Sequence, residues 1–175
     1  CLRAAPDDPI VRLGEGRITL LKKDDAAGAE AIFRSVIALH PKQTEATARL
    51  GEVLLEKPER SPFLTWQATM SQVAESHPRT WFVRGVWAQR NGQPRAAIRC
   101  FLEALRLHPN HVASNFQLSQ VLIGLGMPDA AKPFVDRARL LSTLDFTLNQ
   151  LQNLPDLELM RQVAEINEQL GCIWE

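Results

Sequence analysis

Residues 78–111 read PRTWFVRGVWAQRNGQPRAAIRCFLEALRLHPNH. This stretch predicts two amphipathic helices joined by a turn. Trp81, Gly85 and Ala88 recur at helical spacing, with Trp87 beside them, so one face of the first helix can meet a second helix. Asn91-Gly92 ends the first helix, because glycine enters the left-handed conformation without a Cβ penalty. Pro94 suits the first turn of a new helix, where its missing N–H costs little. Ala97, Ile98, Phe101, Ala104, Leu105 and Leu107 then form an apolar stripe, and Pro109-Asn110 stops it. Small Gly85 and Ala97 let the two backbones approach, and Phe101 fills the space beside them. Burying Ile98, Phe101 and Leu105 stabilises by roughly 1.5–3 kcal/mol each. One hairpin still leaves an apolar flank open, so it needs neighbours.

The ordered set Trp81, Gly85, Ala97, Phe101 and Pro109 resembles a tetratricopeptide repeat, a helix–turn–helix unit with a period of about 34 residues. Arg84 stands where that pattern usually has Leu, and Ala88 where it has Tyr.

Working outward, the same plan recurs. The reading places units at about residues 10–43, 44–77, 78–111 and 112–145, an insertion at 146–156, and a partial unit at 157–175. In the first unit a helix runs from Ile10 to Lys23, Asp24-Asp25 breaks it and offers an N-cap, and Ala29, Phe33 and Pro41 repeat the order seen in Ala97, Phe101 and Pro109. The second unit carries Leu50-Gly51 and a longer polar turn, KPERSP. Ser61-Pro62 is its expected second-helix start, with that helix continuing through Met70, Val73 and Ala74 to His77-Pro78. Phe63 takes the small-residue position, so this hairpin is expected to open slightly. In the fourth unit Gly126 ends one helix and Pro128 starts the next. Pro133 inside that helix predicts a kink or a late start. Residues 146–156 are expected to form a short separate helix packed on the array. The first residues, CLRAAPDDP, read as the tail of a repeat helix and its loop, and CIWE as the start of a further helix. A piece of a longer polypeptide is therefore expected. The expected fold is all-α, an α-solenoid of antiparallel helix hairpins, which the resemblance implies is a right-handed superhelix.

Composition narrows function. The 175 residues are 45% hydrophobic, enough to fold, and 20 Lys and Arg balance 20 Asp and Glu. That balance gives no bulk electrostatic case for nucleic acid or an anionic membrane. No apolar run approaches the ~20 residues that span a bilayer. Cys1, Cys100 and Cys172 show no metal or redox spacing, and three such cysteines leave the compartment open. Cys100 is expected to be a buried or half-buried free thiol. His40, His77 and His108 each precede a proline, but the repeat would separate them by roughly 10 Å, too far to share a metal. There is no glycine-rich phosphate loop, nucleophile elbow or paired-cysteine zinc pattern. The reading is of a chain that is not an enzyme and calls for no cofactor.

The resemblance implies that first helices line a concave groove, contacted from five positions in each unit. These positions fall on Val11, Gly14, Ile18, Leu21 and Lys22, then on Glu45, Ala48, Glu52, Leu55 and Glu56. They continue at Arg79, Phe82, Val86, Gln89 and Arg90, and at Ala113, Phe116, Gln120, Ile123 and Gly124. Ile18, Leu21, Leu55, Phe82, Val86, Phe116 and Ile123 make this lining apolar. Arg79, Arg90 and Glu52 would rim it, and Gln120 adds an amide. Such a groove suits an extended or helical peptide with apolar anchors. Phe82 and Phe116 are the expected anchors, and Arg79 and Arg90 the orienting charges. Some family members clamp a terminal carboxylate, but Gly14 and Ile18 stand where that clamp needs donors. The expected function is a protein–protein interaction scaffold or adaptor. The alternative is a structural or substrate-positioning arm packed against other domains of a larger enzyme, or a self-association module such as a homodimer.

Overall fold

The computed structural model describes residues 8–153 and 156–171. Among them are nine α-helices, one short 3-10 segment and no strand. The fold is all-α, built of antiparallel helix hairpins, and it divides into two compact units, up to Leu107 and from His108 onward. The expectations for residues 1–7 and 172–175 lie outside the described residues.

The first unit holds α1 (Pro9–Lys23), α2 (Ala26–Leu39), α3 (Thr44–Leu55), α4 (Arg60–Thr69), the 3-10 segment Gln72–Ser76, α5 (Pro78–Arg90) and α6 (Pro94–Leu107). Local chemistry sets these ends. The Asp8 carboxylate accepts from the N–H groups of Ile10 and Val11 at 2.8 and 3.2 Å, occupying donors that α1 cannot satisfy itself. Asp24 closes α1 in the left-handed conformation at φ 51°, and Asp25 caps α2 by accepting from Gly28 N–H at 2.7 Å. Gly92 closes α5 at φ 67°.

Aromatic side chains fill the centre of this unit. Phe33, Phe63 and Phe101 are fully buried, as are Ala29 and Ala97 opposite the first and third hairpin contacts. α3 packs against both α2 and α5. The second hairpin departs from the expectation in two ways. α4 begins at Arg60, so Ser61 and Pro62 lie inside its first turn and Glu59 stands at the cap without a side-chain bond. α4 then ends at Thr69, and extended backbone at Met70 and Ser71 leads into the 3-10 segment. Pro78 is itself the first residue of α5, which shortens this connection, and the chain reaches it through the tighter 3-10 turn. The Trp81 indole donates to the Glu75 carbonyl at 2.8 Å and Arg84 reaches the Glu75 carboxylate at 2.9 Å, holding that turn.

The second unit contains α7 (Val112–Gly124), α8 (Pro128–Asn153) and α9 (Leu157–Gln169). Gly126 supplies the left-handed residue between α7 and α8. α8 runs for 26 residues through Pro133 and on to Asn153. The short separate helix expected after Phe146 is instead the continuation of α8, because nothing between Phe134 and Asn153 is a glycine or proline. Leu141 of α8 packs with Ile166 and Leu170, and Arg137 ties the unit together by donating to Asn110 Oδ1 at 2.6 Å and to the Leu170 carbonyl at 3.0 Å.

Candidate partner-binding surface

The groove positions differ in how far the structure buries them. On α1, Ile18 and Leu21 are 52% and 73% exposed, and with Gly14, Arg17 and Lys22 they line a shallow depression of about 260 Å³. Gly14 adds to the opening because no atom approaches where its Cβ would be. On α7, Phe116 and Ile123 are 51% and 47% exposed, and Gln120 is exposed beside them.

The middle of the expected groove is different. Leu55 is buried, and Phe82 and Val86 pack half-buried against the core. The Phe82 ring centroid lies 6.1 Å from that of Phe101. Leu55 is therefore a core residue, and its expected place on an open lining does not hold. The rim charges are engaged with one another. Arg79 of α5 donates to the Glu52 carboxylate of α3, and Arg49 donates to Glu52 at 3.2 Å from one turn below. Arg90 donates to the Leu55 carbonyl at 3.1 Å and to Glu56 at 2.7 Å. These bonds seam α3 to α5. They satisfy the open carbonyl end of α3 with a cation, which its helix dipole favours.

Two of the histidines act on the backbone. His77 Nδ1 accepts from Arg79 N–H at 3.3 Å, capping α5, and His111 Nδ1 accepts from Ser114 N–H at 3.2 Å, capping α7. Burial holds the His77 imidazole below its ordinary pKa. Cys100 is half-buried with a free thiol, and burial pushes its pKa up. Among the described residues no group of three or more His, Cys, Asp or Glu is arranged to hold a metal, and no helix is long and apolar enough to cross a membrane.

The second hairpin, expected to open slightly, borders a cleft that the sequence reading did not place. Between α2, α3 and α4 lies a cleft of about 720 Å³, with Ile37, Leu50, Trp66 and Met70 in its walls. The signals present in the sequence were the long KPERSP turn and Phe63 in place of a small residue. Together they foretell a hairpin that does not close.

The comparisons agree with this architecture. Residues 78–111 match the family model described as tetratricopeptide repeat. No curated protein sequence matches the chain. Among solved structures it is similar to MamA from Desulfovibrio magneticus RS-1, at 21% identity over 81% of this chain and 80% of that one, with a TM-score of 0.56. A second MamA crystal structure aligns at 15% identity over 95% and 96% of the two chains, also at 0.56. At these identities the likeness concerns the fold. Repeats of this kind stack into extended surfaces that bind other proteins. Residues 78–111 thus match a tetratricopeptide repeat, and the chain shares the all-α helical-repeat fold of the solved structures it resembles.

Proposed function

We propose that the chain is a protein-interaction scaffold that holds a peptide or protein segment on the first helices of its hairpins. The observation that carries this reading is the exposure of large apolar side chains at helical spacing on those helices. Ile18 and Leu21 present one such pair on α1, and Phe116 and Ile123 another on α7, beside Gln120. Apolar residues held open to water at regular spacing are what an extended or helical segment with apolar anchors requires. Phe82 and Val86 contribute their exposed edges. Arg79, Arg90 and Glu52 serve the α3–α5 seam first, so orienting a partner by charge is not part of the proposal.

The test is affinity capture with three folded proteins: wild type, Ile18→Glu/Leu21→Glu, and Phe116→Glu/Ile123→Glu. Circular dichroism checks that all three are helical. The expected result is a partner retained by wild type and lost from at least one double variant. Equal capture by all three would overturn the proposal.

A further inference from the structure

The second hairpin is built differently from its neighbours. Phe63 stands where the first and third hairpins have Ala29 and Ala97, and its ring stacks on Trp87 at a centroid distance of 4.4 Å. A phenyl group stands in an alanine's place, and the shorter α4 packs on α3 less extensively than α6 does on α5. Trp66 turns onto the bare backbone of Gly51 and donates its indole N–H to the Thr47 carbonyl at 2.9 Å. α4 then stops at Thr69. The room left between α2, α3 and α4 is the cleft of about 720 Å³.

Its chemistry is graded from floor to mouth. Leu50, Leu54 and Trp66 at the floor are buried, with Ile37 and Met70 partly so. The one polar atom of Trp66 is committed to the Thr47 carbonyl, so apart from the buried Thr47 side chain the floor is apolar. Ser61, Thr65 and Thr69, all exposed, bring hydroxyl groups to the mouth. One cation and one anion, Arg34 and Glu59, also line it, so they leave no net charge there. Arg34 is moreover held by the Glu30 carboxylate at 2.9 Å.

Size selects among occupants. A volume of about 720 Å³ falls within the ~300–1,000 Å³ typical of small-molecule pockets, which are mostly apolar with a few polar groups. We propose that the cleft between α2, α3 and α4 is a binding site for an uncharged, largely apolar small molecule with one hydroxyl-like polar end. The apolar body lies against Leu50, Leu54 and Trp66, and the polar end meets the hydroxyls at the mouth. This site is independent of the exposed apolar pairs proposed above on α1 and, separately, on α7.

The test uses the neutral fluorophore N-phenyl-1-naphthylamine as probe, displaced in parallel by 1-decanol, decanoate and decylamine. Two variants fill the cleft from opposite walls at exposed positions, Ala38→Trp on α2 and Thr65→Trp on α4. Each is first shown to melt within a few degrees of wild type, and the Phe116→Glu/Ile123→Glu protein serves as a control. The expected result is saturable probe binding, displacement by decanol at least tenfold better than by either charged analogue, and at least tenfold weaker binding in a filled variant. The control should bind as wild type does. Absence of saturable binding, equal displacement by the charged analogues, or undiminished binding in both filled variants would overturn the proposal.

Discussion

The ring of Phe101 rests on the bare backbone of Gly85, so closely that a Cβ at Gly85 would overlap ring carbons. The same relationship recurs between Gly16 and Phe33 and, with an indole, between Gly51 and Trp66. A glycine notch on the first helix and an aromatic knob on the second thus join three hairpins. The fourth uses another fit: thirty-four residues on from Gly85 and Phe101 stand Ser119, which is buried, and Val135, which is 39% exposed.

From this follows a matched pair of substitutions. Gly85→Ala forces the Phe101 ring or the α5–α6 spacing to shift, an overpacking expected to cost ~1–3 kcal/mol. Gly14→Ala meets no atom within 4 Å in the interior of α1. It should instead stabilise by ~0.5–1 kcal/mol, because alanine loses less chain entropy in a helix. Urea unfolding of both proteins checks the contrast. Two changes of the same sign and size would sink the notch argument.

The hairpin plan was legible because its signals are local. Gly92 and Gly126 mark helix ends, Pro94 and Pro128 mark helix starts, and Phe33 and Phe101 recur in register. The break in α4 was not legible, since Thr69, Met70 and Ser71 carry no glycine or proline to announce it. Nor was the true work of the rim charges. Arg79 and Arg90 find Glu52 and Glu56 at separations of 27 and 34 residues, and only the packing of α5 on α3 brings them together. The extent of α8 was obscured by the repeat itself. Subtracting one period from the chain suggested a separate helix after Phe146, where physically nothing interrupts the first one.

The seam makes a second prediction. Arg79 and Glu52 have side chains only 27% and 22% exposed, so their bond is partly shielded from water. A double-mutant cycle with Arg79→Gln and Glu52→Gln should yield a coupling of about 1 kcal/mol, between that of a surface pair and that of a buried charged bond. Arg49 must be kept, because it holds the same carboxylate. Coupling near zero would show that the Arg79–Glu52 pair does not help to hold α3 to α5.

His77 predicts a pH dependence with a definite sign. Its Nδ1 must be unprotonated to accept from Arg79 N–H. Burial lowers its pKa below the ordinary 6.5; Glu45 and Glu52 of α3 pull it up, and Arg79 and Arg49 push it down. The unfolded chain therefore binds the proton more readily than the folded one. The imidazole's contribution is fully present above pH 6.5 and is lost as pH falls through the lower folded value. His77→Asn keeps an acceptor at the cap but does not titrate. Melting temperatures between pH 7.5 and 5.5 should fall more steeply for wild type than for His77→Asn. Parallel curves would remove His77 as the source.

Pro133 offers a test in the opposite direction. It is exposed and lies in the sixth position of α8, so the Asp129 carbonyl lacks the N–H that an ordinary residue would supply. Exposure lets water take that carbonyl, which explains why α8 continues without a break. Proline also restricts the unfolded chain, an effect that favours folding by ~0.4–1 kcal/mol. The missing bond and the ring clash together cost ~3 kcal/mol in a helix interior, so the helix-side loss is the larger of the two. Pro133→Ala should accordingly raise stability by roughly 2 kcal/mol. It should also slow amide exchange in the first turns of α8. A lowered melting temperature would mean that the preset φ of the ring outweighs the absent donor, making Pro133 a determinant of where α8 starts.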